Sequence, residues 1–178
     1  MNWYDSVFEV IDMRSFSNLW YWIALAVLWS SVSHWVLGVP FDMINRARRQ
    51  GDGEGEAMTD LNDLVRINVN RILYITDTAG IWIALFGSCA GTALLLMAVV
   101  YDIEIAQAIL LLGGPLVVLW FMSIHTSRQI RLSEESDSVL IRRLMRHRFI
   151  TQLVGVVAIF FTAMFGMYKN LYVGHIAF

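Results

Sequence analysis

Four long apolar runs, separated by two charged stretches, divide this sequence of 178 residues. A helix needs about 20 mostly apolar residues to cross the hydrocarbon core of a bilayer. Only 16% of the residues are charged, whereas a soluble domain has about 25%. The sequence therefore predicts an all-α polytopic membrane protein, a single membrane domain over 1–178. Its four transmembrane helices are expected at about 16–39, 72–101, 105–124 and 149–168.

The basic residues predict how these helices are oriented. Eleven of the thirteen lysines and arginines lie in the segments 41–71 and 125–148, and the other two are Arg14 and Lys169. Loops that remain in the cytoplasm carry an excess of lysine and arginine. We therefore expect a multi-pass protein of the bacterial inner membrane with both segments as cytoplasmic loops. The N- and C-termini then lie on the periplasmic side.

Residues 1–14 predict an amphipathic helix on the periplasmic side of the membrane. Asp5, Glu9 and Asp12 fall on its polar face. Its apolar side chains recur at helical spacing on the opposite face: Trp3, Tyr4, Val7, Phe8 and Ile11. Such a helix either lies in the interface of the outer leaflet or forms a docking surface for a partner.

Two predicted spans carry stripes of small residues. The stripe in the second span consists of Gly80, Ala84, Gly87 and Gly91, and that in the fourth of Gly155, Ala158, Thr162 and Gly166. Small residues let helix backbones approach closely in lipid. Each stripe is expected to pack within the bundle or to contact another subunit.

Polar groups within the spans are the main candidates for function, because burying them in lipid is costly. His34 lies near the cytoplasmic end of the first span, and Asp77 lies one to two turns into the second span from the same side. A hydrogen-bonded pair of His34 and Asp77 is one hypothesis. If the second span starts nearer Ala79, Asp77 is interfacial.

His34 and His125 offer an alternative as cofactor ligands. Two histidines at similar depth on different helices can ligate the iron of a haem or the magnesium of a chlorophyll. His125 also adjoins Thr126 and Arg128, a pattern typical of a residue at the membrane interface. We expect no cofactor, with this pigment or haem site as the alternative.

The sequence lacks the patterns of the common catalytic and nucleic-acid-binding classes. Its net charge of −2 gives no basic surface for nucleic acid. It has no nucleophile motif of the Gly-x-Ser-x-Gly kind and no metal-ligand spacing. A lone cysteine, Cys89, excludes an internal disulfide and a cysteine metal cluster. We therefore expect a protein that is not an enzyme.

A resemblance to a known family extends over most of the chain and is most specific in the first 42 residues. The segments 11–22 (IDMRSFSNLWYW) and 33–42 (SHWVLGVPFD) resemble alphaproteobacterial four-helix inner-membrane proteins that are often labelled "component of SufBCD complex". That iron–sulfur assembly system is soluble and uses cysteine and nucleotide chemistry. The resemblance therefore implies a membrane protein of this bacterial group and transfers no catalytic residue.

Three functions remain as expectations. The first is a non-catalytic accessory, scaffold or assembly subunit of a larger inner-membrane complex, respiratory or photosynthetic, whose partners are the lipid bilayer and other membrane subunits. The second is the haem- or chlorophyll-binding protein using His34 and His125. The third is a small channel or transporter that acts as an oligomer, because four spans are few for a transporter.

Overall fold

The computed structural model describes residue 16 and residues 19–50, 55–132 and 136–176. Every long element in this part of the chain is a helix, which confirms the predicted all-α class. The helices are α1 Leu19–His34, α2 Phe41–Gln50, α3 Glu56–Val99, α4 Glu104–Leu132 and α5 Asp137–Ile176. Two short antiparallel strands, β1 Trp35–Val36 and β2 Val39–Pro40, join α1 to α2.

Three of the helices, α3, α4 and α5, are long and apolar enough to cross a membrane. They contain 44, 29 and 40 residues. Helix α1 contains 16 residues, a length of about 24 Å. This is less than the hydrocarbon core of about 30 Å. Three of the four predicted spans are thus confirmed as helices of sufficient length.

The first predicted span ends earlier than expected, and its predicted extension to Val39 is wrong. The helix stops at His34, and the chain then forms the β1–β2 hairpin. The turn residues Leu37 and Gly38 have φ angles of 52° and 77°, which lie in the left-handed region that ends a right-handed helix. Pro40 follows on β2 and has no N–H for a helical hydrogen bond.

Helices α3 and α4 form a tight antiparallel pair. Only residues 100–103 connect them. The side-chain amide of Gln107 donates to the carbonyl of Ala98 at 2.9 Å and to the carboxylate of Asp102 at 2.6 Å. These bonds fix the start of α4 to the end of α3. Helix α4 continues through Pro115 without interruption.

Four chain segments meet at the end of the bundle that carries the 100–103 turn, which we call the turn end. The Phe16 N–H donates to the Glu104 carboxylate at 2.9 Å, and the Tyr21 hydroxyl donates to the Ala108 carbonyl at 3.3 Å. Lys169 on α5 donates to Asp102 at 2.6 Å. The start of α1, the end of α3, the start of α4 and the last turns of α5 are therefore adjacent.

The two arginine-rich segments lie together at the opposite end, which we call the arginine end. The segments predicted as loops are largely helical: they contain α2, the first turns of α3, the last turns of α4 and the first turns of α5. Asn62 on α3 donates to Asp137 on α5 at 3.0 Å. The guanidinium of Arg148 lies 3.2 Å from the centre of the Phe41 ring, a cation–π contact.

An apolar core holds the arginine end together. Leu61, Val65, Val69 and Leu73 recur every four residues on α3 and are buried, as expected for one face of a helix. They pack in one cluster with side chains of the hairpin, α2 and α5: Val36, Val39, Ile44, Ala47, Leu140 and Leu144. The arginine end is therefore a packed unit.

Candidate functional site

The small-residue stripe of α5 is covered by α1. A methyl group placed on Gly155 would lie 2.8 Å from Cε3 of Trp29, and one placed on Gly166 would lie 3.2 Å from the Trp22 ring. Ala158 and Thr162, between these glycines, are buried. The stripe of α5 therefore packs within the bundle, which was one of the two expectations for it.

The small-residue stripe of α3 is open. A methyl group placed on Gly87 or Gly91 would meet no atom of the described chain within 4 Å, and one placed on Gly80 would meet only Thr76 of its own helix. All residues from 81 to 90, including Ala84, are exposed. None of the residues that the structure describes covers Gly87 or Gly91, so contact with another subunit, the second expectation for this stripe, stays a prediction.

Asp77 lies along the same side of α3. The positions 77, 80, 84, 87 and 91 follow each other at spacings of three and four residues, which places them on one side of a helix. Asp77 is exposed. Its carboxylate makes no hydrogen bond or ion pair with any residue that the structure describes. The open side of α3 therefore combines an acid with small residues.

His34 and Asp77 do not form the predicted hydrogen bond. Both side chains are exposed, and the ring of His34 contacts that of Trp35, with centres 6.1 Å apart. The reason lies in the packing order: α1 packs mainly on α5, whereas α3 packs mainly on α4. The two residues thus belong to helices that are not principal neighbours.

Among the described residues no hydrogen bond or ring contact joins His34 to His125, and a cofactor site formed by these two histidines stays a prediction. His125 is exposed on α4, and its Nε2 is hydrogen-bonded to the Gln129 amide at 2.9 Å. Gln129 in turn accepts a hydrogen bond from Arg143 on α5 at 3.1 Å. His125 thus belongs to a series of hydrogen bonds that links α4 to α5 at the arginine end. Over the residues described, no group of three or more histidine, cysteine or acidic side chains has the geometry for a metal ion.

The predicted docking surface of the N-terminal helix belongs to the first fifteen residues of the chain, which the structure does not describe. Its residues, Trp3, Tyr4, Val7, Phe8 and Ile11, lie outside the described residues.

Sequence reasoning missed a buried polar pair. His147 is 6% exposed, Thr126 is 8% exposed, and the Thr126 hydroxyl lies 3.2 Å from His147 Nδ1. His147 stands between Arg146 and Arg148, so its neighbours in the sequence gave no sign of burial. The helical spacing of 140, 144, 147 and 151, however, places His147 on the face of the buried Leu140 and Leu144, and that signal could have located it.

Comparisons of the chain with protein-family models, with curated proteins and with solved structures find no match.

Proposed function

We propose that this protein is a non-catalytic accessory, scaffold or assembly subunit of a larger bacterial inner-membrane complex. The observation that carries the proposal is the open side of α3. In the most hydrophobic 18-residue window of α3, only 6% of the residues are buried within the chain, compared with 28% in that of α5. A long apolar helix with so little coverage faces either lipid or another membrane protein.

The small residues on α3 favour another protein over lipid. Lipid-facing positions gain nothing from glycine, which costs up to about 1 kcal/mol relative to alanine within a helix. At a contact between helices, glycine allows close backbone approach. The stripe on α5 serves this purpose for α1, and we infer that the stripe on α3 serves it for a partner.

Asp77 adds a polar element to the same surface. A charged side chain facing lipid is unfavourable by about 2.5–3.5 kcal/mol or more near the bilayer centre, and less near the interface. A donor on a partner helix would satisfy it. Asp77 would then determine the register between α3 and the partner helix. The glycines would determine how closely the two backbones approach.

We further propose that the chain crosses the membrane four times. Helix α1 contacts the turn end through Tyr21, and the hairpin that follows it is buried at the arginine end through Val36 and Val39. Together, α1 and the hairpin extend between the two ends of the bundle, so a fourth crossing is consistent with their contacts. The excess of arginine then favours a cytoplasmic arginine end and a periplasmic turn end.

The resemblance of residues 11–22 and 33–42 to alphaproteobacterial inner-membrane proteins is part of the same proposal. It suggests the bacterial group in which the complex should be sought.

Purification in a mild detergent, followed by mass spectrometry, tests the proposal. We expect the wild-type chain to co-purify with other membrane proteins in a fixed ratio. The double substitution Gly87→Leu with Gly91→Leu should reduce the captured partner at least tenfold without unfolding the chain, because both positions are open in the isolated protein.

The matched control is Cys89→Leu, an exposed position at the same depth. It is two residues from both Gly87 and Gly91 and therefore lies on the opposite side of α3. This variant should retain the partner. A wild-type chain that runs alone as a monomer, under conditions that preserve other membrane complexes, would contradict the proposal. Retention of the partner by the Gly87→Leu, Gly91→Leu variant would contradict the role of the stripe.

A further inference from the structure

A crevice of about 360 Å³ lies near the arginine end, between the hairpin and helices α3, α4 and α5. Its walls include Trp35 from β1, Ile75 from α3, Trp120 and Ser123 from α4, and His147 from α5. Ile75 is 42% exposed and Trp35 is 53% exposed. The crevice therefore opens to the apolar surface of the bundle, while His147 lies at its buried side.

His147 presents a polar atom to this crevice. The residue is 6% exposed, its Nδ1 is hydrogen-bonded to Thr126, and it lines the crevice. Nε2 has no hydrogen-bond partner among the described residues. It is also absent from the unpartnered polar atoms that the protein fully encloses. The open space beside this residue is the crevice, and we infer that Nε2 reaches it.

The hydrogen bond to Thr126 determines which atom carries the proton. Serine and threonine hydroxyls in these helices commonly donate to the carbonyl four residues earlier, as Thr76 and Ser123 do. In the described part of the chain, the Thr126 hydroxyl has only His147 Nδ1 as a partner. Its proton therefore goes to Nδ1, because a buried donor without an acceptor is costly. Neutral imidazole with an acceptor at Nδ1 carries its proton at Nε2, so His147 is a donor toward the crevice.

The other walls define the kind of ligand. None of the described residues that line the crevice is charged, so the crevice suits an uncharged group better than a phosphate. Trp35 and Trp120 offer aromatic surface, which favours contact with a planar ring. A ligand here needs a hydrogen-bond acceptor for Nε2, a flat apolar body for the indoles, and an apolar extension that can lie along the bundle.

We propose that this crevice binds the ring of a lipid-soluble quinone, with one carbonyl oxygen accepting a hydrogen bond from His147 Nε2 and the isoprenoid tail extending over the exposed surface near Ile75. The proposal concerns binding and is independent of the proposed contact along α3. Thr126 is a positioning residue, because it acts on the ligand only through the tautomer of His147.

Isothermal titration of the detergent-purified chain with decylubiquinone tests the proposal. The wild type should bind one molecule per chain with saturation. His147→Leu should weaken binding about tenfold, the loss expected for one hydrogen bond. Leucine suits the apolar surroundings of Leu144, and the Thr126 hydroxyl can then donate to the carbonyl four residues earlier. Thr126→Val should weaken binding less, because His147 remains present but is free to change tautomer.

Ile75→Trp provides a second variant that leaves the polar pair intact and fills the crevice, and it should also weaken binding at least tenfold. The matched controls are Ile81→Trp, an 84% exposed position on the same helix, and His125→Leu, the exposed histidine of α4. Both should bind within twofold of the wild type.

Infrared spectroscopy supplies a readout that a merely structural role of His147 would not change. The carbonyl stretch of the bound quinone should shift to lower frequency in the wild type and return toward the free value in His147→Leu. Absence of saturable binding, or equal affinity in the wild type and in all of these variants, would overturn the proposal. Displacement of the quinone by an equal concentration of phosphatidylglycerol would assign the crevice to lipid and would also overturn it.

Discussion

The ring of Trp29 lies so close to Gly155 that a methyl group at position 155 would be 2.8 Å from Cε3 and 3.2 Å from Cζ3 of the indole. Trp29 is 5% exposed and belongs to the cluster that joins α1 to α4 and α5. The absence of a side chain at position 155 is therefore what allows α1 to pack on α5.

Gly155→Ala should lower the free energy of unfolding by about 1–3 kcal/mol, the usual cost of overpacking a well-filled core. Unfolding in mixed micelles of a mild detergent and sodium dodecyl sulfate measures it. The control is Gly113→Ala on α4, where the added methyl group meets no atom of the described chain. Alanine should be neutral or slightly stabilising there, because it is the better helix former. Equal effects at the two positions would contradict the proposed packing.

Gly38→Ala should destabilise the hairpin between α1 and α2. Gly38 has a φ of 77°, and a methyl group there would lie 2.9 Å from Oδ1 of Asn68. A left-handed conformation costs an alanine about 1–2 kcal/mol, and the contact with Asn68 adds to this. The same unfolding assay measures the loss.

Combining Gly38→Ala with Asn68→Ala separates the two causes. The contact disappears in the double variant, whereas the backbone strain remains. The effect of Gly38→Ala should therefore be smaller in the Asn68→Ala background but not zero. An unchanged stability of Gly38→Ala alone would show that the hairpin turn tolerates a side chain.

The ion pair at the turn end should make stability depend on pH. The hydrogen bond from Lys169 (2.6 Å), followed by that from Gln107, lowers the pKa of Asp102 below its ordinary value of 3.8. Because the folded pKa is the lower one, the stabilisation is present above pH 3.8 and is lost as the pH falls through the folded pKa. Asp102→Asn should thus reduce stability by a small, constant amount near neutral pH. That difference should begin to shrink below about pH 4 and disappear only once the pH is below the lowered pKa of Asp102.

Lys169→Met is the control for this prediction. Without the lysine, Asp102→Asn should have little further effect at any pH, because the main cause of the lowered pKa is gone. A pH-independent difference between the wild type and Asp102→Asn would mean that the carboxylate does not stabilise the turn end through its charge.

The long helices could be predicted from the sequence because lipid imposes a length and a composition on each of them. The hairpin at 35–40 could not, since its residues Trp35, Val36, Leu37 and Val39 are as apolar as those of the helix before it. Apolar composition alone does not distinguish a helix from a short strand pair. The sequence signals were Gly38 and Pro40, and both lie near the end of the predicted span.

The partners of the polar and small residues were harder to predict. The stripes on α3 and α5 look alike in sequence, yet only that on α5 receives aromatic side chains of α1. Which helix packs on which is a tertiary property. A stripe of small residues in the sequence does not indicate which helix it will contact. For the same reason His34 and Asp77, although both predicted near the arginine end, lie on helices that are not principal neighbours.

The membrane topology can be measured directly by cysteine labelling. In a Cys89→Ala background, single cysteines replace Asp42 on α2, Leu132 at the end of α4, and Tyr101 in the turn between α3 and α4. All three positions are exposed, and none is an arginine. Spheroplasts are treated with a membrane-impermeant maleimide before or after lysis. We predict that the cysteine at 101 reacts in intact spheroplasts and that those at 42 and 132 react only after lysis. Reaction of the cysteine at 42 or 132 in intact spheroplasts, with that at 101 protected, would contradict the account.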